Sequence, residues 1–354
     1  MNRHVGSVLL IQLGDIGDVV LTLPAVAVVR RRFPVAKMIV AVREKARDLL
    51  EGHPWIDAVV GVETGKRNLH EALLHQWRFF SRLRSYRFDL AFDFRTGTRG
   101  ALMALLSGAR ERVGFHERGS PPWRRLCFHR LYRREYQLGE PVAVFYASLL
   151  ACHGLTIADE DLKVWLPVSP EREEKVDILL RNLGAAPKEP LAALQPCSLW
   201  RYKEWDIRRY TALMERLRAR QPWTFVLTGS PEERERIAAL QRQCLLPENV
   251  VINLAGKTDI GDLPALFRRC ALFIGPDSAG LHIAAAVGTP TVGIFGPSSP
   301  ASWAPRGERH AVAAKDFPCV PCRRKGCDDE GGVSKCLEEL TVDEVWSVVE
   351  RQLS

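Results

Sequence analysis

The sequence has no apolar run long enough to span a bilayer. A membrane helix needs roughly 18–20 consecutive apolar residues, and the longest candidate, Val19–Val29, is broken by Thr22 and Pro24. The opening stretch Met1-Asn2-Arg3-His4-Val5-Gly6 leads straight into a strand-like run, without a small-residue cleavage site behind a separate apolar core. No secretory leader is read there, and a cytoplasmic location is the expectation. The chain also lacks the G-x-G-x-x-G fingerprint of nicotinamide-cofactor enzymes. It carries no recognisable nucleic-acid recognition motif either. Low-complexity segments and sequence-level repeats are absent as well. Together these gaps leave no membrane-spanning helix, no nicotinamide fingerprint and no repeat to build a reading on.

What is present is enough apolar material for two cores. The 354 residues are 46% hydrophobic and 26% charged, which fits a soluble chain of two domains. The net charge of +8 favours an anionic partner. Most of the excess lies before residue 140, in Arg30-Arg31-Arg32, in Arg78, Arg82, Arg84 and Arg87, and in Arg124, Arg125, Arg130, Arg133 and Arg134. These clusters read either as solvated surface or as an anion-facing first domain.

Hydrophobic patterning gives a strand at Val8–Leu13, a turn at Gly14-Asp15-Ile16-Gly17-Asp18, a helix over Val19–Arg32 and a strand at Lys37–Val42. This βαβ opening predicts a parallel sheet. Strands at Ala58–Val62 and Leu90–Asp93 follow, with helices over Asn68–Leu83 and Pro141–His153. The acidic stretch Asp159-Glu160-Asp161 reads as a solvated turn rather than a metal site. Ser169 and Pro170 then open a helix as N-cap and first residue. From Leu191 a second βα series begins, with strands at Leu191–Gln195, Thr224–Thr228, Val250–Asn253, Ala271–Ile274 and Thr291–Ile294. Thr341–Leu353 closes the chain as an amphipathic helix. The fold class is α/β with two parallel-sheet domains.

Two glycine turns carry the chemistry. In Gly14-Asp15-Ile16-Gly17-Asp18, two carboxylates would repel a pyrophosphate, so the turn is a poor phosphate cradle. It suits a general base at the mouth of a cleft, or else Asp18 serves only to cap the helix that follows. The turn Gly275-Pro276-Asp277-Ser278-Ala279-Gly280-Leu281-His282 is different. It joins a strand to a small-residue helix whose free N–H groups and positive dipole end favour an anion. Asp277 either caps that helix or meets a sugar hydroxyl, and His282 lies in the first helical turn. The spacing Cys319-x2-Cys322-x4-Cys327-x8-Cys336 is compatible with a structural zinc site, a disulfide or free thiols.

Three segments together resemble glycosyltransferase family 9, the bacterial lipopolysaccharide heptosyltransferases. They are Ile11–Ala25 with its Gly-Asp-Val and Thr-Leu-Pro elements, Ser198 through Lys203-Glu204-Trp205, and Gly275–Gly296. The resemblance implies a GT-B fold. Residues 1–167 would form an acceptor-binding Rossmann-like domain and residues 168–340 a nucleotide-sugar domain, with residues 341–354 as a helix crossing back to the first. It implies an ADP-heptose donor, an anionic lipid A–core acceptor at the cytoplasmic face of the inner membrane, and peripheral association there. No cofactor is required and no nucleic acid is expected.

By the same resemblance Asp18 is the general base of an inverting transfer, beside Gly14, Asp15 and Gly17. Ser198 and Lys203 bind the donor phosphates, and Glu232 or Glu233 meets the ribose or base. Asp277, Ser278, Ala279, Gly280 and His282 hold the pyrophosphate and heptose. Trp205 is followed by Asp206 where the family usually has proline, a departure in the donor loop. Another nucleotide sugar, an epimerase on the same fold or a non-catalytic core-binding protein are the competing readings.

Overall fold

The computed structural model describes residues 5–63, 69–185, 189–322 and 324–354. The expected helix start at Asn68 and the first four residues lie outside the described residues. The chain divides into two compact units, Met1–Val164 and Trp165–Ser354.

The first unit holds strands β1 (Ser7–Gln12), β2 (Lys37–Arg43), β3 (Ala58–Val62), β4 (Leu90–Asp93), β5 (Glu111–His116) and β6 (Arg130–Arg133). All are parallel, in the order β3-β2-β1-β4-β5-β6. Burial explains the order. The six residues of β1 are all buried, as a central strand covered on both faces requires. At the edge, β6 presents Arg130 and Arg133 to solvent, and charge on an edge strand discourages pairing with another chain.

The second unit holds β7 (Leu191–Leu194), β8 (Thr224–Leu227), β9 (Val251–Asn253), β10 (Cys270–Pro276), β11 (Thr291–Phe295) and β12 (His310–Ala314). Its order is β12-β11-β10-β7-β8-β9, again all parallel. Counted within the unit, this is the 3-2-1-4-5-6 arrangement of the first, so the two units repeat a doubly wound topology that the sequence does not repeat. The terminal helix Val342–Leu353 is capped by Thr341, which accepts from the Glu344 N–H at 3.2 Å. It buries Val345, Val348 and Val349 in the core of the second unit and packs against β11, β12 and the helix Arg209–Arg220.

Strands β5, β6 and β12, together with the helix Thr98–Leu106, go beyond the elements read from sequence. Two local expectations are corrected. Asp161 is not solvated: it is buried in the short helix Asp159–Leu162, paired with Arg31 at 2.6 Å and accepting from the Ala158 N–H. Arg124 is not a surface cation: it is fully buried, 3.2 Å from the equally buried Asp93.

In a doubly wound sheet, ligands bind beyond the carboxyl ends of the strands where the strand order reverses. That point lies between β1 and β4 in the first unit and between β7 and β10 in the second.

Candidate active site

At the first reversal point the chain leaves β1 through Gln12-Leu13-Gly14 and enters the helix Ile16–Arg32. Asp18, in the first turn of that helix, is buried. Its Oδ2 accepts from the Asp15 N–H at 2.9 Å and from Arg95 Nη1 at 2.8 Å, and its Oδ1 accepts from the Tyr146 hydroxyl at 2.7 Å. Asp18 therefore caps the helix and also ends in a polar cluster that capping does not require. Arg95 comes from the chain leaving β4. Tyr146 comes from the helix Val142–Cys152, which packs along Ile16–Arg32. Burial and the adjacent Asp18 raise the Tyr146 hydroxyl well above its ordinary range, so it remains a donor.

Gly14 is needed for space: a Cβ there would overlap Asp18 Oδ2 and crowd Arg95 Nη1. Gly17 is the second residue of the helix. Asp15 turns outward and accepts from Arg43 Nη1 at 2.9 Å and Lys45 Nζ at 3.0 Å. A buried frame supports Arg95. Arg124 donates to the carbonyls of Gly97 and Arg95, each at 2.8 Å, and its partner Asp93 accepts from the Arg95 N–H at 3.2 Å. Burial pushes the Asp93 carboxyl up to about 7 against the opposing pull of Arg124.

At the second reversal point a buried carboxylate is held by a lysine beside a histidine. Lys203 Nζ pairs with Asp277 Oδ2 at 2.6 Å, and His282 Nε2 lies 3.7 Å from Asp277 Oδ1. Burial alone would raise the Asp277 carboxyl; Lys203 and His282 overcome it and hold the group well below the usual carboxylate range. His282 Nδ1 is buried and has no hydrogen-bond partner among the described residues. Ser278 is the N-cap of the helix Ala279–Ala286, whose first residues are Ala279 and Gly280.

Gln195, leaving β7, donates to Ser278 Oγ at 3.1 Å and to the Cys197 carbonyl at 3.2 Å. Its Oε1 occupies the space a Cβ on Gly280 would take. The Ser198 N–H donates to Glu204 Oε1 at 2.9 Å, and Arg236 clamps Glu204 at 3.1 and 2.5 Å. This fixes the loop that carries Ser198 and Lys203. Glu233 Oε2 accepts from the Ser230 N–H at 2.8 Å, while Glu232 is exposed.

The residues that sequence reasoning missed are Arg95, Tyr146, Gln195 and Glu204. Arg95 and Gln195 had a usable signal, since each follows a strand end at a reversal point. Tyr146 had none, because it reaches Asp18 across 128 residues of chain.

Cys319, Cys322 and Cys327 lie outside regular structure, and Cys336 is buried in the short helix Lys335–Glu338. Burial and the nearby Cys327, Cys322 and Cys319 push its thiol up to about 11. Among the described residues, no group of three or more ligating side chains is arranged to hold a metal ion.

A family model described as glycosyltransferase family 9 (heptosyltransferase) matches residues 76–331. The chain is 28% identical over 294 residues to lipopolysaccharide heptosyltransferase 3 of Escherichia coli, covering 82% of this chain and 83% of that one. It is 29% identical over 336 residues to lipopolysaccharide heptosyltransferase 1 of Pseudomonas aeruginosa, covering 90% and 87%. Among solved structures, the ADP-heptose lipopolysaccharide heptosyltransferase II of E. coli superposes with a TM-score of 0.79 at 21% identity, over 98% of both chains.

Proposed function

The chain belongs to glycosyltransferase family 9 and has the GT-B fold, and from that premise we propose that it transfers a heptose from ADP-heptose to the lipopolysaccharide inner core. The observation that carries this reading is the contrast between the two reversal points. One holds a carboxylate aligned by a hydroxyl and a guanidinium. The other holds a lysine, a histidine and a helix start suited to a diphosphate.

In the proposed reaction the first unit takes the acceptor and the second takes the donor. An acceptor hydroxyl oxygen attacks the anomeric carbon of the heptose and its proton passes to Asp18. The bond from that carbon to the pyrophosphate oxygen breaks, ADP leaves, and the configuration inverts. An aspartate suffices as base because the proton moves late, once the attacking oxygen has become acidic. Lys203 and Ser198, with the backbone from Ser278 to Gly280, stabilise the charge gathering on the leaving diphosphate. Asp277 and the unpartnered His282 Nδ1 meet the heptose hydroxyls. Glu233 is committed to Ser230, which leaves the exposed Glu232 for the ribose.

This scheme needs no metal. The four-cysteine loop is kept as a structural zinc candidate that metal analysis of the purified protein decides. No helix among the described residues is long and apolar enough to cross a membrane. Attraction between the basic first unit and an anionic glycolipid would then bring the enzyme to the cytoplasmic face of the inner membrane. Binding to acceptor vesicles that persists unchanged at high salt would count against this.

The deciding experiment is Asp18→Asn. Turnover of ADP-heptose is expected to fall by at least about a thousandfold, within the span of general-base effects, with ADP affinity unchanged. Full activity in that variant removes Asp18 from the mechanism.

A further inference from the structure

The helices Leu69–Ser85 and Thr98–Leu106 in the first unit leave large apolar side chains uncovered. Trp77 is 68% exposed and Leu102 is 42% exposed. With Phe79, Phe80, Met103 and Leu106 they line a cavity of about 670 Å³, within the size range of small-molecule sites. A second cavity of about 230 Å³ lies beside the Asp18 turn, lined by Arg43, Arg95 and Arg99 and by the backbone from Gly97 to Gly100. Leu13, Val62 and Arg99 belong to both linings, so the two form one trough, mainly apolar at one end, where Glu63, His75 and Arg84 stand among the apolar side chains, and cationic at the other.

The charge around the small cavity is unbalanced. Arg43 and Lys45 share Asp15, and Arg95 is paired with Asp18. Arg99 makes no hydrogen bond or ion pair among the described residues. Asp93 and Arg124 offset one another. Four cations thus face two carboxylates, a surplus of two positive charges beside a guanidinium with free donors. Guanidinium groups bind phosphate oxygens with paired, directional hydrogen bonds. Exposed apolar side chains rimmed by charge mark a binding surface.

We propose that this trough binds the lipid end of the acceptor, with a lipid phosphate on Arg99 and Arg95 and its acyl chain in the cavity between the two helices. The assignment rests on the glycolipid-acceptor reading and adds to it the surface that receives the lipid. It also gives Arg95 two duties, holding Asp18 on one side and the phosphate on the other.

Trp77 supplies the readout. Its fluorescence is followed as the full-length protein is titrated, with excess ADP present, against three probes below any micelle threshold. Dodecyl phosphate has both chain and anion, dodecyl maltoside has the chain alone, and glucose 6-phosphate has the anion alone. Dodecyl phosphate is expected to bind most tightly, with a signal that disappears in Trp77→Phe. Arg99→Gln is expected to weaken dodecyl phosphate about tenfold, the scale of one charge-assisted contact, and to leave dodecyl maltoside unchanged. Leu102→Glu weakens both chain-bearing probes. All three substituted positions are exposed, so the fold is retained.

Equal affinity of Arg99→Gln and the wild type for dodecyl phosphate overturns the proposal. So does dodecyl maltoside binding as tightly as the phosphate. Dimerisation through this face that dodecyl phosphate does not reverse would assign the face to a second copy and overturn it as well. ADP affinity in the same samples tests the wider reading separately. Dodecyl phosphate bound where ADP is not would overturn the donor assignment and support this one.

Discussion

In the first unit β1 and β4 part around Asp18 and Arg95; in the second β7 and β10 part around Lys203 and Asp277. The strand order is the same and so is the position, yet the side chains are reversed in role. In the proposed scheme a carboxylate is the functional group at the first point, aligned by a guanidinium and a hydroxyl. At the second the scheme makes the cation functional, and a buried carboxylate holds it. Each point has one glycine whose missing side chain makes room, Gly14 for Asp18 and Gly280 for Gln195. Neither has a positive φ, so both answer to close approach and not to an unusual backbone. On the proposed reading the topology sets where a site forms, and a few side chains at the strand ends set whether it carries a base or receives a diphosphate.

The strongest test of this division replaces the two glycines. In Gly14→Ala the new methyl displaces Asp18 and Arg95. Turnover is expected to fall about a hundredfold or more, the usual result of shifting a reacting group by an ångström, with the dissociation constant of ADP unchanged. In Gly280→Ala the methyl displaces the Gln195 amide from the helix start. The main effect is expected on ADP affinity, weakened about tenfold on the scale of a displaced charge-assisted contact. Steady-state kinetics with calorimetric ADP binding separates the two. Similar profiles for both variants would break the comparison.

The buried aspartates should respond to pH in opposite directions. Asp277 has a depressed carboxyl in the folded state. Its stabilising contribution is present above the unfolded value near 4 and is lost as pH falls through the acid range. Asp93 is raised to about 7. Its contribution is fully present below about pH 4 and is lost as pH rises through 7, with a slope approaching about 1.4 kcal/mol per pH unit. Amide hydrogen exchange in β4, corrected for intrinsic rates, is therefore expected to quicken between pH 5 and 8. Exchange in β10 should show no such change there. Asp93→Asn should flatten the β4 dependence. An unaltered slope in that variant would remove Asp93 as its source.

Much of this contrast was legible in the sequence because central strands are continuous apolar runs and the functional turns follow them. Asp18, Asp277 and His282 stand just beyond such runs, and Lys203 lies farther along the chain that leaves β7. The rest was hidden for physical reasons. β6 is only four residues long and has an exposed arginine at each end, so it reads as surface. Arg124 sits in a basic stretch, and only Asp93, 31 residues away, reveals it as a buried clamp. Tyr146 lies in a helix buried on several sides, where one tyrosine among apolar residues looks like core. The repeated strand order is invisible because topology depends on which strands pair, and unlike sequences satisfy the same pairing. Asp161 was misread because an acidic triplet looks solvated until Arg31 is seen beside it.

Tyr146→Phe removes one donor from Asp18 and leaves Arg95 and the Asp15 N–H in place. The expected loss in kcat is about tenfold, as for one hydrogen bond to a charged group. Because the hydroxyl stays protonated well beyond pH 10, the pH profile should keep its shape. A profile that changes shape would mean that Tyr146 itself titrates in the reaction.

The smallest effects separate two adjacent glutamates in the second unit. Glu233 closes a turn by accepting from Ser230, so Glu233→Ala is expected to cost about 0.5–2 kcal/mol of stability, the range for a lost helix cap. ADP affinity should hold. Glu232 is exposed, and among the described residues its carboxylate bonds only its own N–H and the Ser230 side chain, so Glu232→Gln should cost little stability and weaken ADP only a few-fold through a solvent-facing ribose contact. Urea denaturation paired with ADP binding reads both changes. If Glu233 governs affinity and Glu232 governs neither quantity, the ribose contact belongs to the capping residue, and the second unit would then be using one carboxylate both to hold its fold and to hold its ligand, as Asp18 does in the first.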